Sequence, residues 1–120
     1  MVVLTKNIDI GKPKKLFYDE TKSKTYKEST RKNKYLKVGY GTGGLDAHFV
    51  TDDLRVGSLY LKDAEFAYVD KQKGVFNNGK FQAIVGLAHE SLKLAAATPK
   101  PIVYQMADHK TIKNKIFAFY

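Results

Sequence analysis

The chain has 120 residues, a length that suits one domain, and its 43% hydrophobic and 28% charged residues are ordinary globular values. No apolar run approaches the about 18 residues of a membrane helix, so no membrane partner is expected. Cysteine is absent, which excludes disulfides and thiol chemistry. Most of the net charge of +9 lies in residues 1–37, which hold 11 Lys/Arg against 4 Asp/Glu.

This basic first third suggests, as one alternative, a nucleic-acid or polyanion binder through residues 6–37. Lysines would neutralise phosphates, and the rings of Tyr18, Tyr26 and Tyr35 would stack on bases. We favour a lysine-rich solvated loop, because Arg31 is the one arginine there and arginine is the better planar donor for phosphate. The residues that would carry polyanion binding are Lys12, Lys14, Lys15, Arg31, Lys32 and Lys34.

The segment Lys-Val-Gly-Tyr-Gly-Thr-Gly-Gly-Leu at 37–45 has the Gly-x-Gly-x-x-Gly spacing of a phosphate-binding loop. Such a loop needs a helix directly after the third glycine. Here apolar residues alternate with a period of two on both sides, at 36–40 and at 45–51, which is typical of strands. We therefore expect a β-hairpin rather than a phosphate site, with its turn at Tyr40, Gly41, Thr42 and Gly43.

Further along the chain, short apolar and alternating stretches are also typical of β structure. An apolar run at 81–88 contains Ile84, Val85 and Gly86 and predicts a strand that crosses the core. Shorter alternating stretches predict strands at 53–57, 59–61 and 65–69.

Two short helices and a last strand complete the predicted elements. One helix is expected at 90–96. The other follows Pro99 and Pro101 at 102–107, because proline suits the first turn of a helix. Residues 115–120 are expected to form a closing strand.

Candidates for catalytic or metal chemistry are sparse. His48, His89 and His109 lack paired ligand spacing, so neither a metal site nor a cofactor is expected, and we expect His48 to be a surface or half-buried residue. Neighbours on a strand point to opposite faces, so Asp52 and Asp53 are expected to be solvated charges in a turn or at a strand end, not a dyad.

Several motifs, taken in order, resemble the amino-terminal lobe of the pepsin-like aspartic proteases. Tyr-Asp-Glu-Thr-Lys-Ser-Lys-Thr-Tyr at 18–26 resembles the family's Phe-x-Pro-x-x-Ser-Ser-Thr-Tyr/Phe segment. The glycine-rich turn resembles the flap with its Tyr-Gly-Thr/Ser-Gly tip. Residues 45–57 follow the strand after the flap and keep Asp52, Val56 and Gly57. Phe-Gln-Ala-Ile-Val-Gly-Leu-Ala at 81–88 resembles Phe-Asp-Gly-Ile-Leu-Gly-Leu-Ala, and residues 97–120 resemble the closing helix and strand.

The resemblance implies a mainly β fold, a partial pepsin-like lobe of twisted antiparallel sheets with a flap hairpin and two short helices. It implies one domain over 1–120, with 1–17 poorly matched. In this family the flap closes over an extended peptide, so the tip residues Tyr40, Gly41, Thr42 and Gly43 would contact a peptide through backbone hydrogen bonds.

The departures from the family concern catalysis. Pepsin-like enzymes use two aspartates that share a proton, each within an Asp-Thr/Ser-Gly turn. No aspartate of this chain begins that motif, so no catalytic residue is predicted. The eight aspartates are Asp9, Asp19, Asp46, Asp52, Asp53, Asp63, Asp70 and Asp108.

We therefore expect a truncated, non-catalytic protein that binds peptides or proteins as a decoy or scaffold. The main alternative is a fragment or subunit of an active endopeptidase whose aspartates lie outside this chain. By resemblance its location would be secreted or endolysosomal, although no signal peptide is evident. A homo-oligomer or a complementing lobe is expected to cover open strand edges, to which residues 1–4 and 7–10 would be recruited, preferentially from a twofold mate.

Overall fold

The computed structural model describes residues 2–4, 18–74, 81–92 and 98–120. A long hairpin dominates this part of the chain. The described chain also contains two single 3₁₀ turns, at Glu20–Lys22 and Glu90–Leu92, and one helix, α1, at Ile102–Asp108. The strands are β1 Val2–Leu4, β2 Lys27–Glu28, β3 Tyr35–Tyr40, β4 Gly43–Val56, β5 Leu59–Lys73 and β6 Ala83–Ile84.

β4 and β5 are far longer than the pieces predicted from alternation. They pair antiparallel from Val56↔Leu59 to Gly44↔Lys73, and the ladder shifts register between Asp46 and Ala47 and between Asp52 and Leu54. These irregularities interrupt the period of two, which is why the sequence pattern indicates several short strands. Each extra residue also increases the local twist of the ribbon.

The sheet has the order β2-β4-β5-β1-β6, and β3 also pairs with β4, beside β2. β1 lies parallel to β5, with Val2 opposite Ala67, and antiparallel to β6, with Val2 opposite Ile84. Of the segment 1–4 that is expected to be recruited, residues 2–4 form β1 beside β5 of the same chain. The second expected segment, 7–10, lies outside the described residues.

Both faces of the β4–β5 ribbon are buried near its middle. Phe49 and Val50 are neighbours with 2% and 0% exposure, and they belong to different clusters because successive side chains point to opposite faces. One cluster contains Val38, Leu45, Ala47, Phe49, Ala67 and Val69. The opposite cluster contains Val50, Phe66 and Tyr68, with Tyr18 and Tyr26 packed against it.

The helix predicted after the two prolines is confirmed. Ile102 and Met106, four residues apart, share the face of α1 that packs on Leu61 and Ala64. The helix expected at 90–96 is seen only as the 3₁₀ turn at Glu90–Leu92, since 93–97 lie outside the described residues.

Two predicted strands are corrected by the structure. The crossing strand at 81–88 is reduced to β6, and Ile84 and Val85 are 37% and 52% exposed, because β6 is the edge strand of the sheet and β1 is its one described partner. Gly86 is exposed as well and follows the strand. The closing strand is wrong: residues 115–120 have no described strand beside them and form no regular structure.

Within the described segments, no helix is long and apolar enough to cross a membrane.

Candidate functional site

The flap hairpin, β3 with the first half of β4, is the candidate site. Tyr40 pairs with Gly43 and Gly39 with Gly44, and the turn between the strands consists of Gly41 and Thr42. The predicted hairpin is confirmed. A strand and not a helix follows the glycines, so the segment lacks the free helical N–H groups of a phosphate-binding loop.

The tip of this hairpin rests on the end of β5. Gly74 follows β5 with φ +66°, and a Cβ atom built there would lie 1.9 Å from the carbonyl oxygen of Thr42. Only glycine tolerates both the left-handed backbone and this approach. This contact joins residues more than thirty positions apart in the chain, so no local sequence pattern indicates it.

One face of the flap hairpin is apolar and packs on the core. Val38 and Leu45 are cross-strand partners, 9% and 3% exposed, and they lie in one cluster with Ala47. Leu36 and Phe81 pack against this cluster. The hairpin is therefore anchored along this face, which leaves its turn and its opposite face for contact with a ligand.

Asp52 anchors the other end of β4 and corrects the expectation of a solvated charge. Its side chain is buried, with 4% of the residue exposed. Oδ1 accepts hydrogen bonds from Ser23 Oγ at 2.8 Å, Thr25 Oγ1 at 2.5 Å and the Asp53 backbone N–H at 2.7 Å. Oδ2 accepts one from the hydroxyl of Tyr18. The carboxylate thus ties the segment before β2 to the central hairpin.

The pKa of Asp52 reflects two opposing effects. Burial alone would raise it, but hydrogen bonds to the charged form, led by the one from Thr25, hold the pKa below the ordinary value of 3.8. Burial and the hydrogen bond to Asp52 both raise the pKa of Tyr18 far above its usual 10.0. At neutral pH the pair is therefore a carboxylate with a neutral phenol.

Asp53 has different partners, as expected for neighbours on a strand. It accepts hydrogen bonds from the Tyr60 hydroxyl and from the backbone N–H of Asp63, and the first of these lowers the pKa of Asp53. The two adjacent carboxylates share no donor in these contacts, so they do not form the proton-sharing pair of an aspartic protease.

His48 makes a hydrogen-bond contact with Asp70 of β5. Its Nδ1 lies 2.8 Å from Asp70 Oδ1, and its ring meets the edge of Tyr68 with centroids 5.4 Å apart. The pair lines a cavity of about 280 Å³ that also contains Glu20 and Glu28. No group of three metal-ligating side chains occurs in the described part of the chain. His48 is half-buried, as predicted.

The residues proposed for polyanion binding are partly engaged elsewhere. Arg31 makes a forked ion pair with Glu65, with Nη2 2.8 Å from Oε2, and Lys34 Nζ lies 2.9 Å from Glu28 Oε2. Lys32 is exposed, and Lys12, Lys14 and Lys15 lie outside the described residues. The rings of Tyr18 and Tyr26 pack against the buried cluster, so of the three tyrosines only Tyr35, at 70% exposure, is open for stacking.

The buried role of Asp52 was not predicted from the sequence. The available signal was its position two residues after the apolar Val50 and two before the apolar Leu54, together with the hydroxyl residues of the segment at 18–26. A charge that alternates with apolar residues needs donors from elsewhere, and the segment at 18–26 supplies three side-chain hydroxyls.

These features define a partial pepsin-like lobe. The chain is mainly antiparallel β, its flap hairpin has a glycine-rich tip, Asp52 is buried farther along β4, and one short helix packs on β5. The eukaryotic aspartyl protease family matches residues 3–120, and the chain belongs to that family.

Individual relatives agree with this assignment. The chain is 33% identical over 104 residues to aspartic proteinase A3 of Arabidopsis thaliana, which covers 86% of this chain and 20% of that protein. It is 32% identical to phytepsin from Hordeum vulgare over 86% of this chain and 20% of that protein. It is 29% identical to vacuolar protease A from Neurospora crassa over 86% of this chain and 25% of that protein. The chain therefore spans about a fifth to a quarter of the length of these relatives.

Proposed function

We propose that this chain binds extended peptides through the tip of the flap hairpin and does not cleave them by itself. The observation that carries the proposal is the combination of an intact, core-anchored hairpin with eight aspartates of which none begins an Asp-Thr/Ser-Gly turn. The flap offers backbone donors and acceptors to an extended chain, and that geometry does not need the catalytic carboxylates.

Peptide binding would use Tyr40, Gly41, Thr42 and Gly43. The turn Gly41–Thr42 lies outside the ladder of β3 and β4, and both turn residues are exposed. A peptide that hydrogen-bonds to this turn would add to a hairpin whose Thr42 carbonyl already lies against Gly74. Such a role fits a decoy or a scaffold for peptide-bearing partners.

The test is a titration of ¹⁵N-labelled protein with an extended apolar peptide. We expect amide shifts concentrated at 40–43. A matched peptide with alternate N-methylated amides should lose binding, because it cannot donate the backbone hydrogen bonds. Shifts distributed elsewhere, or equal binding of the methylated peptide, would contradict a role for the flap tip.

Proteolysis is tested separately. The chain alone should leave an unfolded protein substrate intact from about pH 2 to about pH 7, because the attacking water needs a shared carboxylate pair. Turnover by the purified chain that pepstatin abolishes would contradict this proposal.

A second candidate function is favoured by the share of the relatives that the chain spans. It matches 20% of aspartic proteinase A3, so it would act as one segment of an active endopeptidase whose aspartates lie outside these residues. Reading the encoding gene on both sides of this segment distinguishes the two: an in-frame Asp-Thr/Ser-Gly codon run supports the second. By similarity to vacuolar protease A, we propose a vacuolar location.

A further inference from the structure

The outward face of the flap hairpin carries a basic cleft that the proposed function does not use. β3, β4 and β5 alternate, so the side chains that point away from the core come together as one surface, the outer face. Asp46 pairs across the ladders with Lys37 and with Lys71, and Gly44 pairs with Gly39 and with Lys73. These six residues line a cleft of about 220 Å³ with Val38 and Leu45.

The floor of this cleft is made by two glycines. Gly39 and Gly44 lie opposite each other on neighbouring strands, and a Cβ built at Gly39 would meet nothing within 4 Å. The missing side chains leave a depression between flanking lysines. Lys37, Lys71 and Lys73 stand around it and are all exposed.

The charge of the cleft is positive. Three lysines face one carboxylate, and Lys37 Nζ lies 3.8 Å from Asp46 Oδ1 with 83% of the lysine side chain exposed. No carboxylate among the described residues forms an ion pair with Lys71 or Lys73. Two positive charges therefore remain for a ligand.

The spacing of these lysines selects one class of ligand. Lys71 and Lys73 are two residues apart on β5 and share a face, so their backbone positions lie about 7 Å apart. An extended peptide with acidic residues at i and i+2 presents its carboxylates on one side at the same spacing. We propose that the outer face binds an acidic peptide segment of this pattern, with Lys37 as a flanking positive charge.

This site is independent of peptide binding at the flap tip, because the outer face and the turn use different residues. The probe is a fluorescent peptide with the core Glu-Val-Glu between glycines, and its control has the same composition with the core Glu-Glu-Val. Anisotropy is measured at about 0.01 M salt, where screening of exposed charges is weak. We expect the first peptide to bind more tightly and its binding to weaken as salt is added.

Three variants test the assignment of residues. Lys71→Ala and Lys73→Ala should each weaken the Glu-Val-Glu peptide about two- to fivefold, the range expected for one exposed ion pair. Gly39→Leu should weaken it by filling the floor. Lys62→Ala removes an exposed lysine from the same strand outside the cleft and should change nothing. Circular dichroism of each variant checks that the fold is retained.

Several results would overturn this proposal. Equal affinity for the two peptides would remove the spacing argument. An effect of Lys62→Ala as large as that of Lys71→Ala would indicate attraction by net charge alone. Displacement of the peptide by a single-stranded oligonucleotide of equal charge would assign the cleft to polyanions in general.

Discussion

Asp52 is the residue whose surroundings differ most from those of an ordinary strand position. It is a buried carboxylate that accepts hydrogen bonds from three hydroxyls and one backbone amide. Burial of an ion is tolerated only when such donors compensate for the lost water. The three hydroxyls belong to the segment before β2, so this one side chain links that segment to the centre of the sheet.

Replacing Asp52 by Asn keeps the size of the side chain and removes its charge. One of the two former acceptors becomes an NH₂ group facing a hydroxyl donor, so we expect the free energy of unfolding to fall by about 2 to 3 kcal/mol. Urea unfolding measures the loss. Glu28→Gln, which on the neighbouring strand β2 removes a charge from the exposed ion pair with Lys34, is the control and should cost much less, because an exposed ion pair contributes little to stability. A similarly small cost for Asp52→Asn would mean that the network contributes little.

The difference in stability between wild type and Asp52→Asn should depend on pH. The pKa of Asp52 is lowered in the folded state, so its contribution to stability is present above the unfolded value, near 3.8, and is lost as pH falls through the folded value. The difference in unfolding free energy between wild type and Asp52→Asn should therefore be constant near neutrality and shrink below pH 3.8. Denaturant titrations at neutral and acid pH test this, and a difference that grows on acidification would contradict it.

At the scale of elements, the tip of the flap hairpin is in contact with the end of β5. Two glycines can be compared here, because both have positive φ, +66° at Gly74 and +58° at Gly57. Only Gly74 lies against another backbone segment. Gly57→Ala should cost about 1 to 2 kcal/mol for the left-handed backbone alone. Gly74→Ala adds a clash with Thr42 and should cost about 1 to 3 kcal/mol more. Equal losses in thermal or urea unfolding would mean that the flap tip does not rest on Gly74.

Hydrogen exchange measures how the hairpin differs from the core ribbon. The turn amides of Gly41 and Thr42 are exposed, whereas Val50 and Val69 are fully buried in the β4–β5 ladder. We expect the two turn amides to exchange much faster than those of Val50 and Val69, because local opening at the tip exposes little apolar surface. Slow exchange at Gly41 would indicate that a partner covers the tip.

At the scale of the whole molecule, apolar side chains remain exposed at one edge and at the end of the chain. Ile84 and Val85 are at the edge beside β1, and Phe117 and Phe119 contact each other with centroids 5.9 Å apart while 49% and 86% exposed. Surface of this kind marks interaction sites. We propose that a second copy or a complementing lobe covers it.

The chain should therefore form a dimer or larger assembly at roughly micromolar concentration, as measured by light scattering. Deletion of residues 1–10 removes β1, which lies between β5 and β6, and should cause aggregation or unfolding because both neighbours would gain an unpaired edge. Phe119→Ser, at the exposed end of the chain, should weaken association without lowering the melting temperature. A monomeric, equally stable deletion variant would contradict this prediction.

The amino-acid sequence by itself determined the features that depend on near neighbours. Alternation around a glycine turn predicted the flap hairpin, and Pro99 and Pro101 predicted the start of α1. Motif order indicated the pepsin-like family, which the match over residues 3–120 confirms, and the absence of an Asp-Thr/Ser-Gly turn is readable without any structure. Turn and cap preferences act over a few residues, so a single sequence is sufficient for them.

Only the tertiary structure decided which distant segments meet. The burial of Asp52 depends on hydroxyls at 18–25, the glycine at 74 is required by a carbonyl at 42, and β1 pairs with a strand that begins at Leu59. The expected strand at 115–120 also depended on a partner, and none lies beside it in the described chain. Strand pairing and charge burial are set by groups far apart in sequence, whose approach no local pattern encodes.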